Sequence, residues 1–414
     1  MDYDIVISGA GIAGLTASAA FASAGFKVLC VDPTPPVTSR EDPGADLRST
    51  AFLQPARAFL QDAGLWQQLE AHAAPLNIMR IIDAGGTEHE PRMIRDFNAS
   101  DLSDLPFGWN LPNWLLRREM TARLEELPNA TFLPGIATRG LFTRDGEARV
   151  TLSDGTILRC RLVIAADGRN SPMRQAAGIK TSITRFGQKA LALVVTHPIP
   201  HDNISTEIHR SGGPFTLVPL PDHQGRPCSA VVWMEDGPKA QALNSLSDHE
   251  LEEEMSRRSC HILGPLTLIS NRSIWPIVAM QAQKLTSQRL ALVAEAAHVV
   301  PPIGAQGLNM SLRDLSTLHN LALNDPDNLG SAAMLNTYHE KRIGDIRARV
   351  TGITTLNRIS QTGAPTLRDL RAKGLETLYN LKPLRMTLMK IGLGANDYTP
   401  PARNRSPGFR VDGI

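Results

Sequence analysis

Cysteine is scarce in this chain, and the few residues are scattered. Cys30, Cys160, Cys228 and Cys260 form no CxxC pair and no metal-ligand spacing. They read as reduced thiols, and no metal site is expected. Long apolar runs are missing too. None approaches the roughly 20 residues that cross a bilayer, so membrane contact, if any, is peripheral. The stretch after Met1 carries Asp2 and Asp4, lacks a basic leader and is broken by glycines, so it reads as strand, turn and helix rather than signal peptide. The expected location is the cytoplasm, including the inner face of the membrane. Excess charge is also absent: 43 Lys and Arg stand against 41 Asp and Glu, which gives no electrostatic reason to expect nucleic acid. Internal repeats, low-complexity tracts, a nucleophile elbow and an obvious carboxylate pair are all lacking.

What is present is ordinary globular composition, 42% hydrophobic and 20% charged over 414 residues, enough for two or three domains. The run Asp4 to Ser8 ends at glycines, a small-residue helix follows from about Gly14 to Ala24, and a second run, Phe26 to Val31, ends at Asp32. That order predicts a β-α-β unit with a right-handed crossover. A Pro-rich loop spans 33–43. Short strands are expected at 141–143, 149–152, 157–160 and 162–166, with Asp145-Gly146 and Asp154-Gly155 as primed turns. From 191 to about 280 the chain reads as β-rich with one charged helix near 247–258. Helical periodicity returns at 307–323 and dominates from 332 to the glycines near Gly392.

The first motif with chemistry is Gly9-Ala10-Gly11-Ile12-Ala13-Gly14. Gly9 permits the tight turn, Gly11 lets a pyrophosphate approach the backbone, and Gly14 lets helix and strand pack closely. The helix start stabilises phosphate charge, and Asp32 is placed to accept from adenosine ribose hydroxyls. This pattern alone does not separate FAD from NAD. Two later segments do: a strand ending in Asp167-Gly168-Arg169-Asn170-Ser171, and the run Leu290 to Glu295 that continues through His298 into Pro301-Pro302-Ile303-Gly304-Ala305-Gln306-Gly307-Leu308-Asn309 and a helix.

Together these segments resemble the aromatic-ring flavoprotein monooxygenases, the para-hydroxybenzoate hydroxylase class, and within it the ubiquinone-biosynthesis hydroxylases. The resemblance runs nearly end to end. The family's DG motif falls on Asp167, Gly168 and Arg169, and its PxxGQGxN stretch on Pro301, Gly304, Gln306, Gly307 and Asn309, with Ala305 where a variable or glycine position is common. Arg48 in DLRSTAFLQPARAFLQDAGLW, Arg117 in NWLLRREM, and Tyr338, Arg342 and Asp345 are similar too. One departure stands out: Ala294-Glu295 occupies the place of the usual Gly-Asp, whose aspartate bonds the ribityl chain.

The resemblance implies an α/β fold: a discontinuous Rossmann-like FAD-binding domain (1–75, 100–180 and 281–330), an inserted β-sheet substrate domain (76–99 and 181–280) and a helical C-terminal region (331–414). It implies FAD as cofactor and NADH or NADPH as transient co-substrate, there being no second GxGxxG. O₂ would add to flavin carbon 4a, and the hydroperoxide would hydroxylate an aromatic ring, the favoured substrate being a polyprenylated ubiquinone precursor. The expected FAD contacts are Gly9, Gly11, Ile12, Ala13, Gly14, Asp32, Arg48, Arg117, Asp167, Gly168, Glu295, Pro302, Gly304, Gln306, Gly307, Leu308 and Asn309. His298 is the one weak catalytic candidate, against the commoner role of a buried, satisfied imidazole. Phe215, Leu217 and Val218 are weighed as pocket lining against core packing. The basic tail 368–394 reads either as a membrane-surface helix or as a cover for the FAD domain. Rival readings keep the fold but act on a small soluble phenol, reduce flavin, or make the protein a non-catalytic scaffold of a quinone-biosynthesis assembly. Homo-oligomerisation stays open.

Overall fold

Ile5–Ser8 and Leu162–Ala165 are apolar without alternation, the pattern of strands covered on both faces, and every residue in them is buried. In the computed structural model, which describes residues 1–42, 44–85, 90–361 and 379–393, they lie side by side at the centre of a six-stranded sheet. Its order is Thr286–Ser287, Leu290–Leu292, Leu162–Ala165, Ile5–Ser8, Val28–Asp32 and Ala130–Pro134, all parallel except the first. The helix Ile12–Ser23 crosses between the second pair as expected, and it is buried almost throughout because Ala, Gly and Ser let it sit close to the strands. A three-stranded antiparallel sheet, Thr138–Thr143, Ala148–Leu152 and Ile157–Cys160, is attached. Of its two Asp-Gly pairs only Gly155 takes a positive φ, 89°, and neither aspartate does, so neither turn is of the primed type.

The second large element is a nine-stranded sheet. It draws Ile78–Asp83 and Met93–Asn98 from early in the chain, and Thr181–Thr196, Ile204–His209, Pro214–His223, Arg226–Asp236 and Ser273–Ala282 from later. His298–Val299, inside the stretch expected to be purely flavin domain, pairs with Ser273–Ala282 and so ties the two sheets together. One face of the large sheet packs Ile208, Phe215, Leu217, Val231 and Trp233 with residues of the helices Gly237–Asn244 and Asp248–Arg258. The latter helix begins with a capping box, Ser247 and Glu250 bonding each other's backbone.

Helix Gln306–Asn324 packs against the helices Ile12–Ser23 and Gln54–Asp62, and Ala332–Gln361 packs on it. Of the basic tail, Arg371 and Lys373 lie outside the described residues. Lys382, Arg385 and Lys390 lie on or at the start of the helix Lys382–Leu393. Arg385 turns inward, 3.6 Å from Asp101, and Met389 packs beside Leu53, Ala99 and Phe107. No described helix is long and apolar enough to cross a membrane.

Candidate active site

A single cavity of about 750 Å³ runs from the glycine turn to the open face of the large sheet. The glycines divide its near end by function. Gly9, at φ 98°, has a would-be Cβ 2.5 Å from the Ala166 carbonyl oxygen, and Gly14 has one 1.9 Å from that of Gly9. Both are closed to any side chain by the fold itself. A Cβ on Gly11 would meet nothing within 4 Å, although Gly11 lines the cavity, so its emptiness serves whatever lies in front of it. Gly11 also caps the helix Ile12–Ser23 without a side-chain acceptor, leaving first-turn N–H groups for an anion.

Asp32 lies opposite. Its Oδ2 accepts from the Ala10 N–H at 2.7 Å and its Oδ1 from the Thr34 N–H at 2.8 Å, so each oxygen keeps a lone pair. Arg117 lines the same end, and its Nε is enclosed without a hydrogen-bond partner. Arg48 grips Asp46 with its planar fork, at 2.8 and 2.7 Å, and stands 5.3 Å from the Trp275 ring. Burial pushes the Asp46 carboxyl up, but Arg48 and Asn113 outweigh it and hold it below the usual range. Glu295 is exposed at the rim.

Asp167 accepts from the Ser8 hydroxyl and the Met173 N–H through Oδ2, while Oδ1 is enclosed without a partner. Burial pushes its carboxyl above the usual range. Gly168, at φ 80°, lines the cavity beside it. The late loop brings Pro302, Gly304, Gln306, Gly307 and Leu308 to the wall. Helix Gln306–Asn324 starts there with no side-chain cap, so its first N–H groups face the cavity unclaimed.

Gly14, Asn309 and His298 do not line the cavity. Gly14 acts through packing. Asn309 clamps the late loop, donating to the Ala51 and Ala305 carbonyls at 2.8 and 2.6 Å and accepting from the Leu53 N–H at 2.8 Å. His298 is a correction to the catalytic expectation. Its side chain is wholly enclosed and Nε2 bonds Asp314 at 2.6 Å, because the short strand His298–Val299 turns it away from the cavity toward helix Gln306–Asn324. Phe215 and Leu217 take the core-packing role, pointing to the helical face, and of the three only Val218 meets the cavity. Sequence reasoning passed over Asn110, Trp275 and Glu207, all on the wall. Glu207 carried no legible signal, since it shares one face of the strand Ile204–His209 with Ser205 and His209.

A pyrophosphate fits the Gly11 opening and the bare helix start, Arg117 supplies an unpaired fork, and the uncapped N–H groups at Gln306 to Leu308 suit an electron-rich ring edge. The donor set therefore fits FAD. Comparison with known proteins agrees. Residues 2–351 match the family model described as FAD binding domain. Ubiquinone hydroxylase UbiL of Rhodospirillum rubrum is 30% identical over 404 residues, covering 94% of this chain and 89% of that protein. The 3-demethoxyubiquinol 3-hydroxylase of Escherichia coli is 25% identical over 395 residues, covering 94% and 98%. Among solved structures, p-nitrophenol 4-monooxygenase from Pseudomonas putida superposes with a TM-score of 0.76 at 18% identity, covering 96% of this chain and 98% of that one, a likeness of fold. The chain belongs to the FAD-binding-domain family and is an FAD-dependent monooxygenase of the aromatic-ring hydroxylase kind.

Proposed function

We propose that this enzyme uses NADH or NADPH and O₂ to hydroxylate the aromatic ring of a polyprenylated ubiquinone precursor. The observation that carries the reading is continuity: the glycine cradle and a largely apolar sheet wall belong to one cavity. Bound FAD supplies the redox chemistry and the activated oxygen. The chain's own residues do the rest. Gly11 and the Ile12–Ser23 helix start would seat the pyrophosphate, and Asp32 would accept from the ribose. Arg117 and Arg48 would face phosphate or ring oxygens, with Asp167 and Gly168 flanking the cofactor. Glu295 would take the ribityl hydroxyls, its extra methylene accommodated by its exposed position at the rim. The N–H groups of Gln306, Gly307 and Leu308 would meet the ring edge. Met79, Val218, Val232 and Ile277 would exclude water around the substrate ring. The names of UbiL and of the Escherichia coli hydroxylase support the substrate class. Lys390, Ile391 and Leu381, exposed on or next to the Lys382–Leu393 helix, suit contact with an anionic membrane surface from which such a substrate is drawn.

The test is anaerobic reduction of the purified yellow protein by each nicotinamide, with a prenylated phenol, with a small soluble phenol, and with neither. Bleaching accelerated by the prenylated phenol, followed on readmitting air by a product heavier by one oxygen, is the expected result. Acceleration by the small phenol alone would move the substrate class. Colourless protein whose melting temperature ignores added FAD would make the chain a scaffold.

A further inference from the structure

The cavity face of the large sheet carries one feature that apolar enclosure does not explain. Strand side chains alternate between faces, so the burial of Ile208 against the helices sends Glu207 and His209 to the opposite side. Glu207 lines the cavity, flanked in register by Thr216 and Ile81. Its Oε1 lies 2.7 Å from His209 Nε2, and the two side chains are only 14% and 17% exposed. His209 Nδ1 is enclosed without a hydrogen-bond partner. Among the acidic side chains described around the cavity, Asp32, Asp46, Asp167 and Glu295 stand at the glycine and late-loop end. Glu207 alone stands on the sheet. Its neighbours on the cavity face, Ser205, Thr216 and Val218, carry no charge.

We propose that Glu207, backed by His209, is the catalytic proton acceptor for the substrate's ring hydroxyl. The assignment rests on the aromatic-ring hydroxylation read above. The ring O–H bond breaks, its proton passes to the free oxygen of the Glu207 carboxylate, and the electron pair stays on the ring oxygen. From there it enriches the ortho and para carbons, the positions that would accept oxygen from the bound cofactor. The oxygenated carbon then releases its own hydrogen as a proton to water, and the stored proton returns from Glu207 to the ring oxygen. The pair thus ends the cycle as it began. His209, donating from Nε2 to Oε1, fixes the carboxylate's orientation and leaves its other oxygen for the substrate.

The experiment uses 4-nitrophenol, whose anion is yellow and whose neutral form is not, added to the FAD-loaded protein without nicotinamide at a pH where the free phenol is mostly neutral. The difference spectrum is taken against the flavin's own absorption. Wild-type protein converts it to the anion, and Glu207→Gln binds it without that conversion. With a prenylated phenol, Glu207→Gln lowers kcat about 100-fold, and the penalty disappears with the corresponding methyl ether, which has no proton to give. His209→Leu, which removes the donor that orients Glu207, shows the same pattern at smaller amplitude and serves if the first variant does not fold. Three results overturn the assignment: wild-type protein that fails to produce the anion, a Glu207→Gln variant that still does, or equal penalties on phenol and ether. If instead the anion forms but no phenol is ever hydroxylated, the proton acceptor stands and the functional reading falls.

Discussion

Asp314 holds His298 and Arg342 at once, with Oδ2 2.6 Å from the imidazole Nε2 and Oδ1 2.7 Å from the guanidinium Nε. All three side chains are at most 5% exposed. Burial pushes the Asp314 carboxyl up, but Arg342 and His298 outweigh it and hold it below the usual range. The carboxylate is therefore the hub of a structural network, and Arg342 passes it on to Asp345, 2.9 Å away. Asp314→Asn is expected to cost about 3 kcal/mol in chemical denaturation, because a buried guanidinium loses its nearest counter-charge. His298→Asn should cost less and leave turnover per bound flavin within about twofold of wild type. A hundredfold loss of turnover in correctly folded His298→Asn would restore the imidazole to the chemistry.

Gly11 and Gly14 separate binding from folding. Gly11→Ala adds a methyl group where the protein offers open space, so the variant should melt near wild type when both are stripped of flavin, yet retain little FAD on gel filtration. Gly14→Ala drives a methyl group into the Gly9 carbonyl and should lower stability by more than about 2 kcal/mol, with or without cofactor. If both variants lost flavin and stability in the same proportion, the cradle reading of Gly11 would fail.

Two alanines stand where glycine is usual or common in the family, and both adopt left-handed backbone: Ala294 at φ 54° and Ala305 at φ 55°. A side chain in that region costs roughly 1–2 kcal/mol, and glycine returns part of the relief as unfolded-chain entropy. Ala294→Gly and Ala305→Gly are each expected to raise stability by a net amount of about 0.5 kcal/mol. A denaturation midpoint that drops in either variant would show that the alanine methyl is packed to advantage.

His319 sits between Phe21 and Phe59, with ring centroids 5.1 and 6.0 Å away, and burial lowers its pKa from 6.5 to about 4. Above pH 6.5 the ring is neutral folded or unfolded and contributes no pH dependence. Between 6.5 and 4 the unfolded chain takes up a proton that the fold refuses, so stability falls with falling pH by up to about 3 kcal/mol. His319→Phe should flatten that part of the curve, measured as unfolding midpoint against pH. Parallel curves for the two proteins would count against it.

The glycine cradle was legible because its spacing has one physical use between a strand and a helix, and Asp32 ends the next strand where that use requires it. The sheet wall was not legible. Both of its faces are apolar, one against helices and one against the cavity, so alternation along Phe215, Leu217 and Val218 does not say which face is which. His298 was left open between two roles for a related reason. Its place just after a strand is clear in the sequence, but its direction depends on Asp314 and Arg342, partners 16 and 44 residues further along. Glu207 was hidden for a different reason: Ser205, Glu207 and His209 alternate with Ile204, Thr206 and Ile208, a pattern that reads as an ordinary solvent-facing side.

The cavity wall at the cofactor end takes residues from as early as Gly9 and as late as Leu308, and Asn309 ties the late loop to Ala51 and Leu53. During synthesis, then, a nascent chain has no complete seat until residue 309 has left the ribosome. Flavin loading is therefore expected to be a late event, and fragments ending earlier should emerge colourless.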